Sequence, residues 1–247
     1  MSPPVFLAGA DALEAGSVVL DGPEGRHAAT VRRLRPGERV DLTDGAGLLA
    51  ECVVTAAVTA KGGASLTLDV LARHRTPPPS PRVVVVQALP KGDRGELAVE
   101  TMTEVGVDEI VPWSAARCVT RWRPDRRDKA LARWRDAARE AGKQARRSRL
   151  PEVAAPASTD DVAGRIAAAS LAIVLHEEAD APLSAVRPPA DGDIVVVVGP
   201  EGGITDEELA RFTEAGGRPT RLGPTVLRTS TAGVAAAAVL LAATGRW

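Results

Sequence analysis

The chain predicts an α/β protein: a C-terminal α/β domain with a mainly parallel sheet, preceded by a small N-terminal β-barrel. Before residue 73, short apolar runs alternate with turn dipeptides; after residue 82, unbroken β-branched runs alternate with helix-like segments. Between them lies RHRTPPPSPR, residues 73–82, whose prolines favour extended, semi-rigid backbone. The expected division is a β-barrel over 1–72, a Pro-rich linker over 73–82 and an α/β domain over 83–247.

In the first domain, strands are expected over 5–7, 17–20, 39–42, 48–55 and 65–71. The breaks fall at Asp21-Gly22, Pro36-Gly37, Asp44-Gly45 and Gly62-Gly63, all turn formers. A short helix is expected over 24–34, where His27, Val31 and Leu34 recur at helical spacing. The second domain opens with an apolar strand over 83–88. Lys91-Gly92-Asp93 then turns into a helix over 94–105 that Gly106 stops, and 109–113 is the next strand. A long amphipathic helix over 126–147 follows, with Ala130, Leu131, Trp134, Ala137, Ala138, Ala141 and Ala145 on one face. Later strands are expected over 171–175, 194–198 and 220–222. Continuous β-branched strands between helices imply a sheet buried on both faces.

Two glycine-bearing loops follow the last strands. Gly199-Pro200-Glu201-Gly202-Gly203 succeeds four valines and leads to Thr205-Asp206-Glu207-Glu208, where Thr205 and Glu208 fit a capping box. Glycines there let backbone approach a ligand closely, although the spacing is neither the P-loop nor the dinucleotide fingerprint. An ordinary strand-to-helix turn would read the same way. The second loop, Leu222-Gly223-Pro224 through Leu227-Arg228-Thr229-Ser230-Thr231, opens a helix apolar nearly all round, which implies burial or a subunit interface. Thr229 or Ser230 fits a plain N-cap there. Loops at the carboxyl ends of strands are where open α/β sheets bind ligands, and two of them suggest a pocket.

Net charge is −1, which points to no particular partner, but its distribution is uneven. Residues 121–149 hold twelve Lys or Arg against four Asp or Glu, a local charge of +8. A solvated helix with intrahelical pairs explains part of that excess; phosphate contacts would use the rest. With 2% aromatic residues and no Tyr, stacking platforms for bases are sparse. Cys52 and Cys118 lie far apart, and His27, His74 and His176 stand alone, so neither a disulfide framework nor a metal site is expected. The start, MSPPVFLAGAD, lacks signal-peptide character, and no apolar run is long enough to span a bilayer. A cytoplasmic location without a membrane partner is expected.

GPEGGITDEEL followed by LGPTVLRTSTAG resembles the cofactor-binding signature of the SPOUT superfamily of knotted methyltransferases. The likeness extends upstream through QALPKGDRGE, TEVGVDEIVPW, and RW followed by the spacing of Glu140, Gln144, Arg147 and Pro151. Those runs are similar to the branch that methylates N3 of a uridine in small-subunit (16S) ribosomal RNA. His27, Val31, Arg33 and Gly37 are similar to that branch's PUA-like barrel, so the likeness covers nearly the whole chain.

The resemblance implies an enzyme dependent on S-adenosyl-L-methionine, a deep trefoil knot in the C-terminal domain, and a homodimer acting on 16S rRNA, in the 30S subunit or its precursor. It implies that Leu175, Gly199, Glu201, Gly202, Leu222, Leu227 and Thr229 line the cofactor. His176, Pro200 and Gly223 lie inside the same motifs and join that set. Arg228 lies in the same motif, toward the RNA or the cofactor carboxylate; it or another pocket Arg is the candidate for stabilising developing charge, and Glu201 for the base. RNA contacts are expected from His27 and Arg33 on the barrel, from Lys91, Arg117 and Arg121, and from Gln144, Arg146 and Arg147. The chain departs from the family pattern at Ser230, where Glu is common, and at Ala145 and Arg146, where Ser or Cys and Gly are usual. Two rival readings stand beside this one: a knotted methyltransferase acting on another rRNA or tRNA nucleotide, and a non-catalytic RNA-binding assembly factor.

Overall fold

The computed structural model describes residues 2–60 and 63–247. It divides into two compact units, Met1–Pro78 with Gly142–Leu150, and Pro79–Ala141 with Pro151–Trp247. Unit 1 begins with β1 (Val5–Leu7), α1 (Ala10–Glu14), β2 (Ser17–Leu20), α2 (Gly22–Arg26) and a π-helical turn over His27–Val31. It continues with β3 (Arg39–Thr43), β4 (Leu48–Ala60) and β5 (Gly63–Arg75). Unit 2 contains β6 (Arg82–Ala88), α3 (Arg94–Val105), β7 (Glu109–Trp113), most of α4 (Pro124–Gln144), β8 (Glu152–Val153) and α5 (Thr159–Ala168). It ends with β9 (Leu171–Leu175), β10 (Asp193–Val198), α6 (Asp206–Glu214), β11 (Arg218–Thr220) and α7 (Thr229–Ala243).

The strands of unit 1 form one sheet in the order β1-β3-β4-β5-β2, parallel between β1 and β3 and antiparallel elsewhere. Alternate residues Ala50, Cys52 and Val54 of β4 and Leu66 and Leu68 of β5 are buried against Phe6 and Leu13, the half-buried alternation of an antiparallel sheet. β4 runs past the expected end at residue 55. A register shift between Val54 and Ala56 interrupts the alternation, and residues 56–59 beyond it are exposed, so no apolar period marks them. β5 runs on to Arg75, where Leu48 is its partner, so the expected linker at 73–82 loses its first three residues to the sheet. The expected turn at Gly62-Gly63 falls partly outside the described residues, since only Gly63 is described. The helix expected over 24–34 is instead α2 and the π-helical turn, begun early by Pro23 at its first turn.

Gly142–Leu150 belongs to unit 1 although it lies far along the chain. Lys143 is buried and places its Nζ 2.8 Å from Glu24 Oε1. The Gly47 amide donates to the Ser148 carbonyl at 2.9 Å, and the Leu150 amide to the Gly45 carbonyl at 2.9 Å. The helix expected to reach residue 147 stops at Gln144. Its end is a Schellman motif: the Arg146 N–H donates to the Lys143 carbonyl at 3.0 Å and the Arg147 N–H to the Gly142 carbonyl at 2.9 Å. That geometry needs a left-handed residue, and Arg146 supplies it at φ 56°. Glycine, the residue that the resemblance leads one to expect here, would take this geometry freely, and Arg146 carries the steric strain that glycine avoids.

Unit 2 is a six-stranded sheet in the order β11-β9-β10-β6-β7-β8, with every pairing parallel. Val83 to Val86 and Val195 to Val198 are wholly buried, as a sheet covered on both faces requires. α7 packs on α3, on β6 and on β10. The contact with α3 is close because Gly233 has no side chain: a Cβ there would lie 2.8 Å from Met102 Sδ. The strand expected over 220–222 lies at Arg218–Thr220, since its partner β9 ends at Leu175. Arg221 turns away and donates its N–H to the Ala181 carbonyl at 2.8 Å. α5 was not expected from apolar periodicity; a Ser158–Asp161 capping box starts it.

Replacing Arg146 with Gly is expected to raise the unfolding free energy by ~1 kcal/mol, the scale of the left-handed penalty. A urea titration with unchanged slope checks this; a lower midpoint would show that the Arg146 side chain contributes more than its backbone costs.

Candidate functional site

Parallel strands all end at one edge of the sheet, and register fixes which residues meet there. Val198 pairs with Gln87, Val197 with Val174, and Thr220 with Leu175, so the ends of β11, β9, β10 and β6 stand in a row. The two glycine-bearing loops leave from that row, the first after β10 and the second after β11. His176 follows β9 directly. Its amide donates to the Thr220 carbonyl at 3.1 Å, and its Nδ1 accepts from the Glu178 amide at 3.3 Å, which ties β9 to β11.

The first loop is held from several directions. Its backbone turns at Gly203, φ 75°, with the Gly203 amide donating to the Pro200 carbonyl at 2.9 Å. Gly199 and Gly202 are tight: a Cβ on the first would lie 2.8 Å from Ile204 Cγ1, and on the second 3.1 Å from Arg117 Cβ. Arg117 Nη1 donates to the Gly202 carbonyl at 3.1 Å. Glu201 is exposed, and its Oε1 accepts the Lys91 amide at 3.1 Å. Lys91 and Arg117, both expected on the RNA side, are therefore brought to the glycine loop together with Glu201.

The capping box at Thr205 forms as the spacing implied, with the Glu208 amide donating to Thr205 Oγ1 at 3.2 Å. Its carboxylate reaches further than a cap requires. Glu208 Oε2 accepts the Thr205 amide at 3.1 Å, while Oε1 accepts the Ala116 amide at 2.8 Å and Thr159 Oγ1 at 3.3 Å. Glu208 is 5% exposed, so one buried carboxylate joins the glycine loop, the segment after β7 and the start of α5. Sequence reasoning assigned Glu208 only a cap, because the Ala116 and Thr159 partners are distant in the chain.

The second loop is open. Leu222 and Gly223 are half-buried, while Leu227 and Arg228 are exposed. Arg228 is the N-cap of α7 without a side-chain hydrogen bond, so neither Thr229 nor Ser230 acts as the expected cap. Both are buried in the first turn instead. Gln87 Nε2 donates to the Thr229 carbonyl at 3.2 Å and to the Ala88 carbonyl at 3.0 Å, fixing that turn over the end of β6.

The remaining expected RNA contacts divide between the units. His27, Arg33, Gln144, Arg146 and Arg147 belong to unit 1, and Arg121 to unit 2. His27 meets the Phe6 ring edge-on at 5.6 Å. Arg33, like Arg146, is exposed and left-handed, at φ 54°. Part of the +8 charge is engaged internally: Lys143 with Glu24, Arg139 with Asp136, Arg133 with Glu96, and Arg149 Nε with the Thr76 carbonyl. Neither cysteine is poised for chemistry. Burial pushes the Cys52 thiol up to about 11 and raises that of Cys118. Among the described residues, no three His, Cys, Asp or Glu group to hold a metal, and no helix is long and apolar enough to cross a membrane.

Residues 77–241 match a family model described as an RNA methyltransferase domain, and residues 20–62 one described as an RNA methyltransferase PUA domain. The ribosomal RNA small subunit methyltransferase E of Mycobacterium bovis is 49% identical over 233 residues, 93% of this chain and 87% of its own. That of Bacillus subtilis is 30% identical over 226 residues, 89% and 87% of the two chains. The crystal structure of a ribosomal RNA small subunit methyltransferase E from Neisseria gonorrhoeae bound to S-adenosyl methionine superposes with a TM-score of 0.83 at 28% identity, covering 98% of each chain.

Removing the Glu208 carboxylate leaves buried N–H and O–H donors unsatisfied. Glu208→Ala is expected to cost ~2–3 kcal/mol of stability, measured by urea unfolding. Glu208→Gln, which keeps the acceptor oxygen, should recover part of the loss; equal stability of both variants with the parent would remove Glu208 as the brace of the loop.

Proposed function

We infer that this chain, which belongs to the family of ribosomal RNA small subunit methyltransferase E, transfers a methyl group from S-adenosylmethionine to 16S ribosomal RNA. The observation that carries the reading is the row of parallel strand ends bearing two glycine loops, in a chain 49% identical to a named member over nearly its whole length. The acceptor we propose is N3 of a uridine within the 30S subunit or its precursor, which puts the protein in the cytoplasm. We take the working form to be a homodimer; the exposed Val226, Leu227 and Val239 on the second loop and α7 are the apolar surface such an assembly would cover.

The cradle suits the cofactor. Leu175, His176, Gly199, Pro200, Glu201, Gly202, Leu222, Gly223, Leu227 and Thr229 belong to its two loops and the end of β9, with Gly199 and Gly202 where side chains would collide and apolar Leu222 and Leu227 for the nucleoside. S-adenosylmethionine, when bound, supplies a methyl group already activated by its sulfonium. The chain's part is to orient the uracil and to manage the proton on N3, which is present at neutral pH. Arg228, exposed at the start of α7, is our candidate for stabilising the negative charge that develops on the base. Glu201 is the only carboxylate within the glycine loop and the candidate for proton acceptance; its bond to the Lys91 amide gives it a bracing role as well. Lys91, Arg117 and Arg121 would hold phosphates near the cradle, and His27, Arg33, Gln144, Arg146 and Arg147 would serve the RNA from unit 1.

The direct test incubates the purified chain with S-adenosylmethionine and 30S subunits from a strain lacking this activity, followed by mass spectrometry of the rRNA nucleosides. Formation of 3-methyluridine is expected. A different methylated nucleoside would reassign the target, and absence of methylation with intact RNA binding would favour a non-catalytic role. Arg228→Ala should lower kcat on the order of 100-fold, while a KM effect alone would move Arg228 from charge stabilisation to binding.

A further inference from the structure

Unit 2 contains a second concavity that the glycine loops do not form. It is a cleft of about 520 Å³ bounded by the segment after β6, the start of α3, residues 120–122 and the first turns of α4. Two of the chain's four tryptophans line it, in a protein with 2% aromatic residues. Trp134 is buried against α3 at Gly95, where a Cβ would lie 2.8 Å from the indole. Trp122 meets Trp134 edge-to-face, with centroids 5.2 Å apart and planes at 85°, and remains half-buried. Arg121, Arg126, Lys129 and Arg133 line the same cleft against a single carboxylate, Glu96.

The cations are not all committed within the protein. Arg133 pairs with Glu96 at 3.3 Å, and Arg121 donates to the Ala116 carbonyl at 3.0 Å. Arg126 has only a long contact to Asp125, 3.7 Å, and Lys129 has no ion pair among the described residues. The volume suits one nucleotide rather than a duplex. An indole beside free cations is the combination that takes a base on its π-face and the adjoining phosphate on its charges. The cleft also adjoins the cradle through the chain itself: Pro90 lines it, and the next residue, Lys91, gives its amide to Glu201.

We propose that this cleft is a subsite for a single-stranded nucleotide of the RNA substrate, stacking its base on Trp122 and holding its phosphate with Arg126 and Lys129. The subsite rests on the RNA methyltransferase reading and extends it: the nucleotide held here flanks the target, so the cleft selects RNA in which the neighbourhood of the target is unpaired.

Two measurements test it separately. Tryptophan fluorescence of the full chain is titrated with a short single-stranded oligouridylate, and with polyglutamate of matched charge. A saturable quench by oligouridylate that is lost in Trp122→Ala is expected; no quench, a quench undiminished in Trp122→Ala, or an equal response to polyglutamate overturns the proposal, the last pointing to an acidic protein. This arm needs no methylation and so stands even if the catalytic reading fails. In methylation of 30S subunits, Trp122→Ala should raise KM for RNA on the order of tenfold, with Trp122→Phe recovering most of it. The double variant Arg126→Glu with Lys129→Glu should raise KM and flatten its salt dependence. Unchanged KM in both variants overturns the subsite. Affinity for S-adenosylmethionine should stay at the parent value throughout; its loss would place the effect in the cradle instead.

Discussion

Because every strand of the larger sheet runs the same way, every loop that leaves a carboxyl end opens along one edge, and the rest of unit 2 follows from that constraint. Register then decides which loops are neighbours. β10 sits between β9 and β6, so the glycine loop after it lies beside both His176 and the Gln87-Ala88 end, to which the first turn of α7 is tied. No single loop carries the site. What makes one is that four strand ends, fixed relative to one another by the ladder, hold loops distant in sequence side by side.

A loop without regular structure stays in place only if its polar groups find partners. Here the partners come from outside the loop: the buried Glu208 carboxylate, Arg117 on the Gly202 carbonyl, and Glu201 itself on the Lys91 amide. The first is inaccessible to water and strong; the other two are exposed and weak. The half of the loop that runs into α6 is therefore the rigid half. The half around Glu201 and Gly202 is the one that ligand binding can adjust, and it is also the half that faces the expected RNA cations.

Sequence reading worked where burial imposes a period. Helix 94–105 and strands 109–113 and 171–175 lie where expected because Gly106 and the continuous apolar runs leave few alternatives. It failed where structure depends on distant partners. The outer part of β4 exposes residues 56–59 past the register shift, so no alternation could announce it. The return of Gly142–Leu150 to unit 1 depends on Glu24, Gly45 and Gly47, and the Schellman turn at Arg146 was visible only as a departure from a usual glycine. The basic run is, in three dimensions, partly self-neutralised, as intrahelical pairing implied, and cations of its first part lie beside Trp122, which no pattern singled out.

Ser230 shows how such a departure can carry chemistry. It is the second residue of α7 and only 3% exposed, beside an N-cap whose side chain makes no capping bond. A carboxylate at this place would meet the positive end of the helix and satisfy its unpaired amides. Serine brings no charge, so the start of α7 and the neighbouring Arg228 keep their full positive potential for whatever anionic group the ligands present. Nor does serine offer a carboxylate proton acceptor in the first turn of α7. On the proposed reading, the proton from N3 would leave by solvent or by the exposed Glu201 of the first loop. The proposed charge stabilisation at Arg228 and proton removal at Glu201 would then come from different loops, one after β11 and one after β10.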